Sequence, residues 1–589
     1  MSYHPNEIAR RGRVAQVLVA AVMLVLAGAF FRTQVLRNAE YALQSEDNRL
    51  REVPLPAPRG IIYDRAGRII AENLPGYSVS LLAPTADSLR AALRTLSGRI
   101  PVSEGQIEAA VRRWRRTPNR PAVVLPDAAF DVVSVLEEHR IEFPGLIIQS
   151  APKRYYPDAE AVAAIIGYTG EITESELAAP RYAGYKSGQA IGKGGLERQY
   201  EERLRGREGV RFVEVDARNR VVRAAGARPE IPPEAPAALR TNLDLELQKY
   251  VASLFGDSLQ GAAVVMEPRT GAVLALYSAP TFDPNRFTGG IPIDYWRQLN
   301  TDPRRPLYNK AIQGAYPPAS TWKLATAAIA MERGLATIDT RMPQPCTGGF
   351  WYGRRFGCWD KRGHGNVTMA QAIAKSCDVY FYQLGLKIGL TNLLAGGVSL
   401  RFHERTGIDL PSETRPRWPE GVAYFNRRYG PRRWSNGVTL NLSIGQGEND
   451  QTVVSMARFY TALATDGAAA RPTIAEAAPA RDTILRLTPA QLQQLRLAMA
   501  DVVSARGTAG SAAIEGLVLA GKTGTAQNPP NPDHAWFVGF APLTAPKVVV
   551  AVFLEYGEHG YAAARVASKI VARWLKETPI NPSESTDVQ

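Results

Sequence analysis

The sequence predicts an α+β protein of several domains. A single N-terminal transmembrane helix is followed by an elongated pedestal. A C-terminal domain comes last, built as an antiparallel sheet with flanking helices and an all-α subdomain. Three observations carry this. At 589 residues the chain is too long for one hydrophobic core and needs three or four units. Val14 to Phe31 is apolar apart from Gln16 and follows Arg10, Arg11 and Arg13. From Leu239 on, strand-like runs open and close a stretch that is mostly helical between them.

In order, residues 1–13 read as a short cytoplasmic tail and 14–33 as the anchor, with Arg32 and Thr33 snorkelling at its end. The positive flank belongs in the cytoplasm, so the bulk of the chain lies outside the inner membrane as a single-pass protein. A cleaved signal peptide is the alternative, since Ala27-Gly28-Ala29 resembles a cleavage site. The apolar run nevertheless continues through Phe30 and Phe31, and a polar helical stretch, Gln34 to Arg51, follows without a break.

The pedestal is expected over 34–223, with a head subdomain at about 84–160. Pro54 to Pro58 is a stiff spacer, and Arg59 to Asn73 makes a hairpin about the Asp64-Arg65-Ala66-Gly67 turn. Tyr77 to Leu82 alternates as a strand, and Glu104 to Arg116 is an amphipathic helix. Gly192 to Gly206 is a glycine turn, a helix and a glycine stop, and the strand Val210 to Val215 comes next. A proline-rich hinge is expected at 224–240. The C-terminal domain spans 241–576 and the polar tail 577–589 reads as disordered. Within the domain, Asp244 to Phe255 is a helix, and 262–266 and 272–276 are buried strands. Ala370 to Ile388 is a helix interrupted near Ser376. Strands at 517–526, 535–540 and 548–554 precede a helix at 560–576.

The net charge of +14 is carried mainly by dispersed arginines. Zinc-finger, helix-turn-helix and RNP patterns are absent, which sets nucleic acid aside and leaves anionic membranes or substrates.

The chemistry concentrates around Ser320 and Lys323 in Tyr316-Pro317-Pro318-Ala319-Ser320-Thr321-Trp322-Lys323. The prolines stop any earlier helix, and strong helix formers run from Leu324 to Arg333, ending at Gly334. Ser320 is therefore expected in the first turn of a buried helix with Lys323 on its face. A desolvated amine there can take the hydroxyl proton, and the helix N-terminus favours developing negative charge. A second Ser-x-x-Lys, Ser150 to Lys153, has Pro152 between its ends and lies in extended sequence. Downstream come Ser376-Cys377-Asp378, at a break between helices, and Lys522-Thr523-Gly524-Thr525, in a strand.

Ser-x-x-Lys, Ser-x-Asp and Lys-Thr-Gly-Thr, in that order, resemble the penicilloyl serine transferases, the penicillin-binding proteins and serine β-lactamases. The resemblance covers almost the whole chain. The anchor, Arg59-Gly60 with Asp64-Arg65, and Gly195-Leu196-Glu197 with Tyr200-Glu201 and Leu204-Arg205-Gly206 look like the class B pedestal. Leu442 to Glu448 and Gly507-Thr508-Ala509-Gly510 match the same class, and Ser376-Cys377-Asp378 with Gly363-His364-Gly365 looks like its elongation-specific D,D-transpeptidases. The C-terminal domain would then have the β-lactamase-like transpeptidase fold.

The resemblance implies Ser320 as acyl-accepting nucleophile, Lys323 as its base, Ser376 as proton relay to the leaving amine and Lys522 as keeper of an electropositive relay. Asp378, Thr523, Gly524 and Thr525 would bind substrate, the two threonine hydroxyls taking the carboxylate of a D-Ala-D-Ala stem peptide. The N–H groups of Ser320 and Thr525 would form the oxyanion hole. The wider superfamily has asparagine where this chain has Asp378, and an ionised aspartate cannot donate a hydrogen bond to substrate. Asp378 could instead hold Lys323 or Lys522. The chemistry needs no cofactor. Peptidoglycan stem peptides, the SEDS glycosyltransferase RodA and other elongation-complex proteins are the implied partners.

The three cysteines fall within 32 residues with one of the six histidines among them: Cys346, Cys358, His364 and Cys377. Three thiolates and an imidazole suit a structural zinc ion, and some relatives carry zinc here. A Cys346–Cys358 disulfide with Cys377 free is the alternative. His534 reads as a loop or substrate-rim residue. A D,D-carboxypeptidase or β-lactamase is the rival enzyme, with Glu413 a candidate base for a deacylating water. A β-lactam sensor or scaffold is the non-catalytic rival, disfavoured by the short segment before the anchor.

Overall fold

A computed structural model of the chain describes residues 5–38, 50–118, 120–216, 221–223, 229–431 and 433–577. Pro5–Phe31 is one α-helix that ends in a π-helical turn, Arg32–Leu36. Among the described residues it is the one helix long and apolar enough to cross a membrane. The expected helix over Gln34 to Arg51 falls largely on residues outside those described. At its far end Leu50–Leu55 is a strand, paired antiparallel with Gly209–Val215. The reason is packing: Val53 joins Leu82, Val213 and Val215 in a small core of their own.

The hairpin at Asp64 forms as predicted, between the strands Ile62–Tyr63 and Ile69–Leu81. One Asp64 oxygen accepts from the N–H groups of Ala66 (2.9 Å) and Arg68 (2.8 Å), which closes the turn. The second strand is longer than its sequence pattern suggests because it is paired on both sides. Ala122–Ala128 and Leu146–Tyr155 flank it, both antiparallel. The second Ser-x-x-Lys lies in Leu146–Tyr155, so it is strand. The head has a core of its own, built from residues such as Val79, Leu89, Leu93, Ile107, Val111 and Leu136. Helix Glu104–Arg116 contributes to it, capped reciprocally by Ser103 and Gln106.

The proline-rich stretch is not free chain over its described part. Ile231 exchanges backbone hydrogen bonds with Val210 (2.8 and 2.9 Å), and Glu234 does so with Arg207 (3.0 and 2.9 Å). Residues 224–228 and the tail 578–589 lie outside the described residues.

In the C-terminal part five antiparallel strands form one sheet in the order Val273–Ala279, Gln260–Met266, Val548–Glu555, His534–Ala541, Ala520–Ala526. Helices Leu245–Phe255 and Gly560–Glu577 pack on one face. The wholly buried helix Val453–Ala464 packs on the other. Two short hairpins, Gly349–Tyr352 with Arg354–Gly357 and Ala468–Ala470 with Arg481–Thr483, interrupt the helical insert. The hydrophobic core does not stop at the pedestal. Ile62, Tyr156, Val162, Leu196 and Leu204 belong to the same cluster as Leu247, Val264, Leu276 and Val552.

Candidate active site

Ala520–Ala526 is the last strand of the sheet. The 3-10 turn Ala319–Trp322 packs against it and runs on into helix Lys323–Glu332. Ser320 therefore sits one tight turn ahead of the α-helix rather than inside it. Pro318 and the left-handed backbone of Ala319 (φ +50°) impose that turn. The Ala319 N–H donates to Gly445 O (2.9 Å) and the buried Trp322 ring packs on Phe402 and Trp418. Gly445 is at φ +76°, and a Cβ there would lie 2.2 Å from Ala319 O, so only glycine fits. In the strand itself the Cβ position of Gly524 lies 3.0 Å from Pro318 O, a close approach of strand and turn. The 445 loop and the strand thus hold the serine turn between them.

Lys323 is fully buried. Its ammonium donates to Asp378 Oδ1 (2.7 Å), Ser376 O (2.9 Å) and Ser376 Oγ (3.2 Å), and lies 5.5 Å over the Phe381 ring. Ser376 bridges helices Met369–Ala374 and Asp378–Ile388 at φ +53°, the second left-handed non-glycine residue of the site. Asp378 opens the latter helix, and its Oδ2 accepts from the Trp359 N–H (3.1 Å). Burial pushes the Asp378 carboxyl up, and the Lys323 charge opposes this. Both carboxylate oxygens are thus engaged inside the protein. Of the roles open to Asp378, the geometry favours holding Lys323 over contacting substrate.

Lys522 is also fully buried and donates to Thr523 O (3.1 Å). Burial, reinforced by the nearby Lys323 charge, holds it well below the usual lysine range, with Asp378 opposing. The Thr523 hydroxyl pairs with that of Thr508 (2.6 Å), and Thr525 Oγ1 accepts from the Gly560 N–H (3.3 Å). Gln446 Nε2 reaches Thr525 O (3.5 Å).

The three motifs thus meet around one cleft. Sequence reasoning placed their residues but missed Trp359, Gly445 and Gln446 as site walls. Thr508 carried a signal, since its tetrapeptide was recognisable, without any hint that it touches Thr523. His534 is not a loop residue. It opens a strand, is buried against Tyr316 and Phe553, and its Nδ1 accepts from the Tyr556 N–H (3.2 Å). Glu413 spends its carboxylate on Thr406 N (2.6 Å), Thr406 Oγ1 (2.7 Å) and Gly407 N (3.0 Å), so it shapes a loop and leaves no base for water there.

Beside the cleft, one ligand atom from each of Cys346, Cys358, His364 and Cys377 lies within 4.8 Å of the others. The three thiols are buried and unbonded to one another, which weighs against the disulfide. His364 Nδ1 is 3.5 Å from Cys358 Sγ and 3.7 Å from Cys346 Sγ, while its buried Nε2 has no partner. Three soft sulfurs and one imidazole nitrogen converging in a closed, buried set fit a structural zinc ion.

A serine beside two buried lysines, opening onto the free edge of an antiparallel sheet, is the arrangement of enzymes that transfer acyl groups through a serine ester. Residues 261–576 match the family model of the penicillin-binding protein transpeptidase domain, and 54–234 that of the penicillin-binding protein dimerisation domain. The chain is 33% identical to the peptidoglycan D,D-transpeptidase MrdA of Acinetobacter baumannii, over 97% of this chain and 89% of that one. It is similar to penicillin-binding protein 2 of Helicobacter pylori solved in complex with MreC (TM-score 0.79, 29% identity, 90% of this chain and 99% of that one). A structure described as a peptidoglycan synthase complex that coordinates polymerization and crosslinking is also similar (TM-score 0.69, 28% identity, 98% of this chain and 100% of that one). The chain belongs to the penicillin-binding protein family, in its branch of MrdA-type peptidoglycan D,D-transpeptidases.

Proposed function

We propose that Ser320 attacks the carbonyl between the two terminal D-alanines of a stem peptide. The Ser320 ester forms, the peptide bond breaks and D-alanine leaves. The amine of a neighbouring stem peptide then attacks the ester, making the cross-link and freeing Ser320. The observation that carries this is the convergence of Lys323 on Ser376 and Asp378 beside the Ser320 turn. In its neutral amine form Lys323 takes the hydroxyl proton, and Ser376 relays a proton from the resulting ammonium to the departing amine, while Asp378 holds Lys323 in place. The N–H groups of Ser320 and Thr525 stabilise the oxyanion. The hydroxyls of Thr523 and Thr525 receive the terminal carboxylate, Gly524 lets the donor peptide lie close along the strand, and Lys522 supplies positive charge when protonated. β-Lactams enter by the same attack and stay as the ester.

Cys346, Cys358, His364 and Cys377 hold a zinc ion whose part is to fasten the loops beside Ser376, with no step of the reaction. The anchor keeps the N-terminus in the cytoplasm and the catalytic part outside the inner membrane. RodA supplies the glycan polymerisation with which cross-linking is coupled, and MreC-like elongation proteins are further partners. The test is labelling of the full-length chain with a fluorescent penicillin. The wild type should form a stable adduct, and Ser320→Ala none. An adduct on Ser320→Ala would overturn the assignment, and rapid turnover of the wild-type adduct would favour a hydrolase.

A further inference from the structure

The hairpin Gly349–Gly357 projects from the catalytic domain with its Trp351 ring 72% exposed and Tyr352 also open to solvent. Arg354 and Arg355 at its turn are exposed. Next to it stands helix Ala423–Tyr429, with Arg427 and Arg428 exposed. The two are joined through the segment 434–437: Trp434 packs on Phe425 and donates to Asn426 (2.8 Å), and the Phe356 ring lies 3.4 Å from the Cβ position of Gly437, which opens the next helix. In sequence, 351–362 holds four basic residues to one acidic, and 427–433 holds four basic residues and no acid. Among the described residues, none of these four arginines makes an ion pair, though Arg354 stacks on the Phe356 ring (4.6 Å), Arg355 donates to Gly348 O (3.3 Å) and Arg428 to the Tyr429 hydroxyl (3.2 Å).

This crest is fastened to the cleft at both ends. Tyr382, on the helix that Asp378 opens, donates from its hydroxyl to Gly357 O (3.0 Å), and two residues on the Trp359 N–H reaches Asp378. At the other end the Tyr429 hydroxyl donates to Glu448, in the loop that carries Gln446 to Thr525. Exposed aromatic rings offer faces for the C–H sides of sugar rings, and guanidinium groups without an acidic partner offer their remaining donors to carboxylates. A wide apolar and basic surface on a soluble domain marks an interaction site. A polymer carrying sugars and carboxylates side by side matches both.

We infer that the crest formed by hairpin 349–357 and helix 423–429 binds the glycan backbone and stem carboxylates of the acceptor wall strand, presenting its amine to the Ser320 ester. The inference rests on the transpeptidase reading and names the subsite of its second substrate. The sugar rings stack on Trp351 and Tyr352, and the carboxylates bind the four arginines.

The test uses full-length chain in detergent and three variants: Trp351→Ala, Arg354→Glu with Arg355→Glu, and Arg427→Glu with Arg428→Glu. Probes are uncross-linked glycan strands bearing pentapeptides, the sugar-free pentapeptide, and vesicles of anionic lipid. All three variants should bind glycan strands about tenfold more weakly or worse. The two arginine variants should each also weaken the salt dependence, while Trp351→Ala keeps it. Penicillin acylation should stay at the wild-type rate in every variant, as should the melting temperature. Normal glycan binding in all three variants overturns the inference, as does a loss confined to vesicle binding. A wild type that forms no penicillin adduct would instead sink the transpeptidase reading, a distinguishable failure.

Discussion

Lys522 is the residue whose state decides how the cleft meets its substrate. In the resting site burial, aided by the Lys323 charge, holds it well below its ordinary value of 10.5, so it loses its proton more readily than an exposed lysine. A carboxylate arriving at Thr523 and Thr525 favours the ammonium form and raises that value again. Binding therefore takes up a proton between the resting and bound values, and affinity falls as pH rises through that window, by up to about tenfold per pH unit. The folding sign is the related one: a depressed lysine costs stability in full below its folded value, and that cost fades as pH rises from there to its ordinary value of 10.5. The measurement is the acylation rate constant at sub-saturating penicillin across pH, for wild type and Lys522→Ala. A pH-independent wild type, or the same slope in the variant, would refute the linkage. Lys522, Ser320, Lys323 and Ser376 were legible because their motifs are local in sequence. The engagement of Asp378 by Trp359 was not legible, and Gly445 stood in a recognisable stretch without the reason it must be glycine, because both depend on left-handed turns at Ala319 and Ser376 and on contacts between distant segments.

At the scale of elements, the second motif is where two loops meet. Cys377 immediately precedes helix Asp378–Ile388, and Cys358 immediately precedes Trp359, whose N–H holds Asp378. A metal on both cysteines would fix both backbone approaches to one carboxylate. Purified full-length protein should hold about one zinc per chain. Chelation, or Cys346→Ser, should lower the melting temperature and slow penicillin acylation by about 10- to 100-fold, the usual loss when a metal shell is disturbed. A metal-free protein with unchanged melting and acylation would remove the zinc. The catalytic-domain strands and helices that the sequence named lie within a few residues of where they form, but the central buried helix Val453–Ala464 and the helix Pro489–Val503 were not among them. The head strand Ile69–Leu81 was underestimated, since a strand paired on both sides needs no alternating pattern. The short hairpin at 349–357 was missed because its strands, of four residues each, leave too little pattern to detect.

At the scale of the whole molecule, composition pointed to a hinge between pedestal and catalytic domain, but the core runs through it. Tyr156, Leu196 and Leu204 share one cluster with the catalytic sheet, while the head keeps its own. On the pedestal side of the joint lies a buried charge network. Glu197, fully buried, accepts from Arg154 Nε (2.7 Å) and pairs with Arg59, which also bonds Glu201 (2.6 Å). Burial raises the Glu197 carboxyl, but Arg154 and Arg59 outweigh it and leave it below its ordinary value of 4.5. Tyr200, from the same segment, donates to Asp409 (2.7 Å), which in turn accepts from the N–H groups of Ile474 and Ala475. Removing the carboxylate strands the buried Arg154, while Arg59 keeps Glu201, and breaking such a buried pair costs about 3–5 kcal/mol. Glu197→Gln should therefore lower the denaturant midpoint of the lower pedestal and the catalytic domain together, with penicillin acylation lost at that same midpoint. The head should retain its own transition, read by hydrogen exchange of residues 86–116. A depressed carboxylate gives stability that is full above about pH 4.5 and lost as pH falls through the folded value, so wild type and variant should converge in acid. If Glu197→Gln shifted only the pedestal and left the acylation midpoint untouched, the shared core would not couple the two halves.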